Sequence, residues 1–150
     1  MIIDKLKAKG TVKFQLRDQD GKLKESFESN LVVNAGLAWI IERMVTASGA
    51  AVSHMAVGTS TTAAAAADTA LLAEAGREAL VSSTVVTTNV TNDSVEYEAT
   101  FAAGSGTGAL TEAGLFNAGS GGTMLSRTVF GVITKGALDS LTITWKITIL

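Results

Sequence analysis

The chain reads as mainly β, a small antiparallel β-sandwich or open barrel with one amphipathic helix. Three observations carry that reading. Six to eight short runs alternate apolar and polar residues, Gly- or Asx-rich turns separate them, and one substantial stretch switches to the helical period.

Residues 11–16 set Val12, Phe14 and Leu16 against Lys13 and Gln15, the period of a strand with one buried face. Residues 22–27 repeat it, and Asp18-Gln19-Asp20-Gly21 between them supplies a tight turn, so the chain opens with a β-hairpin. Leu37, Ile40, Ile41 and Met44 then fall at i, i+3, i+4 and i+7 behind Asn34, a candidate N-cap, which predicts an amphipathic helix of about ten residues. Residues 52–58 read as a buried strand and 58–67, rich in Ala, as a loop. Asp68 can cap a short helical turn through Leu71, Leu72 and Ala75, with Gly76 as its stop.

β-Branched residues crowd 79–88 and 95–101, and Thr91-Asn92-Asp93-Ser94 between them predicts a second hairpin. Gly104-Ser105-Gly106-Thr107-Gly108 leads into 110–117, and residues 119–122 turn the chain into 123–133. The clearest strand is the last: Leu141, Ile143, Trp145, Ile147 and Ile149 share a face opposite Thr142, Thr144, Lys146 and Thr148. Trp39, Trp145 and Phe116 are the expected core anchors, since bulky aromatics fill a thick core and Ala does not.

At 150 residues the expectation is a single domain spanning 1–150. Twelve basic and 14 acidic side chains give a net charge of −2, without the basic excess that drives counterion release, so nucleic acid is not an expected partner. There is no Cys for disulfides or thiolate metal sites. Residues 1–10 lack the apolar core of a secretory leader, and the apolar stretch 31–44 is broken by Asn34, Glu42 and Arg43, so no membrane segment is expected. Pro, a common means of blunting edge strands, is absent, which leaves edges open to a neighbour.

Signals for chemistry are sparse. His54 is the one imidazole, and Ser53, next to it on a strand, is not expected to present its hydroxyl to the ring. Asp18, Asp20, Asp93 and Glu96 lack EF-hand order, and the glycine loops lack the Gly-Lys-Ser/Thr ending of a P-loop. Glu25 with Glu28, and Glu96 with Glu98, read as solvated strand faces. The expectation is a non-enzyme with no cofactor and no metal. Glu112 is a candidate for a register-fixing ion pair with either Arg127 or Arg77.

Several phrases together carry a resemblance: Asn30-Leu31-Val32-Val33-Asn34-Ala35-Gly36; His54-Met55-Ala56-Val57-Gly58-Thr59-Ser60-Thr61-Thr62; Leu110-Thr111-Glu112-Ala113-Gly114-Leu115-Phe116-Asn117; Gly122-Thr123-Met124-Leu125-Ser126-Arg127; and Asp139-Ser140-Leu141-Thr142-Ile143-Thr144-Trp145. Over nearly its whole length the chain resembles small structural proteins of tailed bacteriophages, often labelled tail-fibre or virion proteins. The resemblance implies a virion component made in the host cytoplasm, without catalytic residues, whose partners are other virion proteins. A tail- or fibre-associated role leads, as a homo-oligomer such as a trimer or other ring. Capsid decoration is the alternative within the class, and a receptor- or glycan-binding module the alternative outside it. The glycan reading has few aromatics for sugar stacking, at 5% of the chain.

Overall fold

The computed structural model describes residues 7–47 and 49–150; residues 1–6, most of the stretch expected to carry no leader, lie outside that description. The described elements are β1 (Ala8–Arg17), β2 (Leu23–Val32), α1 (Asn34–Val45), β3 (His54–Gly58), β4 (Glu74–Ala79), β5 (Ser82–Val86), β6 (Ser94–Phe101), β7 (Gly108–Phe116), β8 (Met124–Lys135) and β9 (Ser140–Ile149). The strands form one antiparallel sheet in the order β4-β3-β7-β8-β2-β1-β9-β6-β5, curled into a half-barrel, so the expected mainly-β class with one helix holds.

Two devices curl the sheet. β2 pairs with β1 over most of its length, but Leu31 and Val32 pair with Arg127 and Ser126 of β8, so one strand turns the corner between two halves. At the far side, the Leu80-Val81 link carries the chain from one outermost strand to the other. Leu80 N–H donates to Ser53 O, while Val81 N–H donates to Glu98 O.

Alternation decides what lies inside. Val12, Phe14, Tyr97, Ala99, Phe101, Leu141, Ile143, Trp145 and Ile147 face in from β1, β6 and β9 and meet Met55, Val57, Leu110, Leu115 and Phe130 from the other half. Burial of each such side chain contributes roughly 1.5–3 kcal/mol. A second apolar cluster, with Val33, Ala56, Leu71, Phe116 and Met124, lies on the outer side of β3, β7 and β8. Trp145 and Phe116 are thus buried in different clusters, and Trp39 packs half-buried against the first.

Four expectations change. The helix forms, but Asn34 is its first residue and Val33 the N-cap, with no side-chain capping bond. Its contact face is rotated by about one position. Gly36 is buried beneath the Leu125 carbonyl, where any Cβ would collide, and Trp39 and Ile40 pack inward, which turns Leu37, Ile41 and Met44 to solvent.

β2 is likewise turned over. Its register against β1 puts Lys24, Ser26 and Glu28 on the face of Leu16, Phe14 and Val12, and sends Leu23 and Phe27 outward. Hairpin register fixes this, because a strand's face follows from its partner's. The helical turn after Asp68 does not form; the segment continues into β4, which runs through Gly76. Finally, the run 79–88 is broken at Leu80-Val81, since these residues bridge two edges and cannot belong to one strand.

Candidate functional site

The imidazole departs from expectation. Ser53 lies just before β3, and its Oγ sits 2.8 Å from His54 Nδ1, contrary to the reading that a neighbouring serine could not reach the ring. The hydroxyl reaches it because the regular strand begins only at His54. Gly119 lies against the Nε2 side of the ring, and among the described residues no carboxylate is hydrogen-bonded to it, so the pair lacks the third group that orients a relay. Among the described residues no group of three or more His, Asp or Glu is placed to hold a metal ion.

The strongest electrostatic feature lies on the outer side of β7 and β8. Arg127 Nη2 stands 2.9 Å from Glu112 Oε2 with both side chains fully buried, and its Nη1 stands 2.9 Å from Asp68 Oδ2. Arg127 also donates to Thr62 O, and Glu112 accepts the backbone N–H groups of Ser60, Leu72 and Ala73. This network straps the 59–73 loop over the second apolar cluster, where Leu71 sits above Gly114. Every lone pair and proton used here relieves part of the cost of burying the ions.

Arg77, the other candidate partner of Glu112, is placed elsewhere. It pairs with Glu74 at 2.8 Å, stacks over the Phe116 ring at 3.8 Å and donates to the carbonyls of Ala118 and Gly121. Asp68 and Glu74 belong to these networks and were missed in the sequence, where Asp68 carried only a capping signal.

Three further ionisable groups are perturbed. The Asp93 carboxyl is held far below the usual range by the Val90 N–H foremost, against some desolvation, with Asn89, Thr88 and Ser94 adding donors; it pins the loop between β5 and β6. Lys135 is buried and donates to Ala102 O, and desolvation lowers its pKa against the pull of Asp139. Burial also pushes the Tyr97 hydroxyl up to about 12.

What remains is surface. On α1, Leu37, Ile41, Met44 and Val45 are 44%, 55%, 77% and 87% exposed, a contiguous apolar stripe with no cover among the described residues. Beyond their two paired positions β2 and β8 splay apart. Leu110 faces Ile133 but Glu112 faces Val129, so residues 130–132 bow out of the ladder. The resulting open cleft of about 470 Å³ is lined by Phe14, Phe130, Lys24, Ser26, Glu28 and Ile133, among others. No described helix is long and apolar enough to cross a membrane.

Comparison with protein-family models, with curated proteins and with solved structures finds no match.

Proposed function

We propose that this chain is a structural component of a tailed-phage virion, tail- or fibre-associated, acting through protein–protein interfaces and not through catalysis. The uncovered apolar stripe of α1 carries the interface part of this reading. Four large side chains on one exposed helical face are the composition of a buried contact. The likeness of the phrases around Asn30, His54, Glu112 and Asp139 to phage structural proteins supports the particle. The Ser53–His54 pair, without an orienting acid, offers an enzyme reading little support.

The test is to mix purified protein with tail-only and head-only particle fractions and follow co-sedimentation. Binding to tails is expected, binding to heads alone would replace this reading by capsid decoration, and binding to neither would remove the virion role. Met44→Lys, which places a charge on the exposed stripe with little expected effect on folding, should reduce the binding.

A further inference from the structure

The cleft between β2 and β8 leaves a strand edge with an unusual property. The hairpin bond from Asp18 N–H to Lys22 O sets the parity of β2, so its even-numbered residues bond to β1 and its odd-numbered ones turn their N–H and C=O groups the other way. Leu31 uses that second edge for Arg127, and Ser29 O accepts the Thr128 hydroxyl. From Leu23 to Phe27 the edge has no described strand beside it, and residues 23–27 are exposed.

Along this edge the side chains facing the cleft are Lys24, Ser26 and Glu28. Among the described residues, no group forms a hydrogen bond or ion pair with the Lys24 ammonium or the Glu28 carboxylate. Read in reverse, cation, hydroxyl and anion become anion, hydroxyl and cation. The pattern therefore complements itself in an antiparallel arrangement.

We infer that two copies of this chain associate by antiparallel pairing of their β2 edges, with Lys24 of each opposite Glu28 of the other and Ser26 on the two-fold axis. The parity agrees with the charges. In this register Glu25 meets Phe27 of the second copy, and both are odd-numbered residues whose backbone groups point outward to form the bonded pair. Lys24 and Glu28 then fall at a non-hydrogen-bonded position, where cross-strand side chains come closest. One such contact is isologous and closed, so it yields a dimer and not a fibre.

Gly131 and Val132 line the cleft opposite this edge, with open space around Gly131. The contact also fits an edge otherwise hazardous, because an unpaired strand without Pro is a template for uncontrolled pairing. This inference rests on the assembly reading above only for the expectation of a protein partner; it names that partner as a second copy.

The experiment is mass by light scattering over a concentration series of the full chain, with a charge-swap set. The parent should be dimeric at high concentration. Lys24→Glu and Glu28→Lys, each of which sets like charges opposite one another twice by symmetry, should each weaken the dimer about tenfold or more. The double variant K24E/E28K should restore it, which a general surface-charge effect would not do. Because the chain has no Cys, Ser26→Cys gives a second readout: oxidative cross-linking should outpace that of Asp20→Cys at the exposed hairpin tip.

A parent monomeric throughout would overturn the inference. So would a dimer indifferent to the swaps, or equal cross-linking at positions 26 and 20. Particle binding is measured separately, so a dimer that binds no particle fraction sinks the virion role alone, and a monomer that binds tails sinks the dimer alone.

Discussion

The two halves of β8 obey opposite rules. Residues 124–128 are buried on both faces, between the main core and the strapped 59–73 loop, and include an arginine held by two carboxylates. At residues 130–132 the same strand bows from its ladder with β7, and from Gly131 to Thr134 it has lost β2 as a neighbour and lines a cleft open to solvent. Both halves are rich in β-branched and apolar residues. The difference lies in what neighbours supply: a strand's character is set by its ladder partners and cover more than by its own composition.

The largest expected effect tests the closed half. Arg127→Ala leaves Glu112 buried without its cation and should cost about 3–5 kcal/mol in denaturant unfolding. A loss under about 1 kcal/mol would mean that the backbone donors of Ser60, Leu72 and Ala73 hold the loop unaided. Glu112→Gln should lower the melting temperature as well, because the amide cannot balance Arg127.

Gly36→Ala comes next. Its Cβ meets the Leu125 carbonyl at the start of the closed half, a backbone atom with little room to yield, so about 1–3 kcal/mol should be lost.

The effect of Lys135 is smaller and opposite in sign. Its pKa is lowered in the fold from 10.5, so the folded chain binds fewer protons than the unfolded chain between the lowered value and 10.5, and parent stability rises with pH across that window. Lys135→Met should therefore stabilise at neutral pH, with a gain that shrinks toward pH 10.5. Tyr97, raised from 10.0 to about 12, destabilises both proteins equally as pH climbs through that range, so the readout is the difference between variant and parent.

Least of all, Phe27→Ser on the turned-over strand should change monomer stability by no more than about 0.5 kcal/mol. A loss above 2 kcal/mol in a monomeric preparation would show that Phe27 is covered in solution by part of its own chain.

Legibility in the sequence followed how strictly a residue's neighbours were local. The opening hairpin and β9 were visible because period-2 alternation and a turn suffice to specify them. The rotated face of α1 was not, because Leu37, Ile41 and Met44 form a good stripe and the contact that overrides it depends on Gly36 meeting Leu125, 89 positions away. β2 misled for a related reason: Leu23 and Phe27 alternate correctly but are on the wrong parity for a hairpin already fixed by Val12 and Phe14. Asp68 was read as a cap since nothing nearby points to Arg127. Of the charged candidates, Glu112 and Arg127 are brought together and Arg77 is not, a choice that spacing left open.

Strand order also has a kinetic consequence. β9 lies between β1 and β6, joining the opening hairpin to the β5–β6 hairpin, yet it is the last of the nine described strands in chain order. During synthesis both hairpins must wait, each with an unsatisfied apolar face, until β9 has left the ribosome. High sequence separation of this kind slows folding and prolongs the interval in which nascent chains can cross-pair. In a cell making many copies at once, success would depend on how quickly that one strand is delivered.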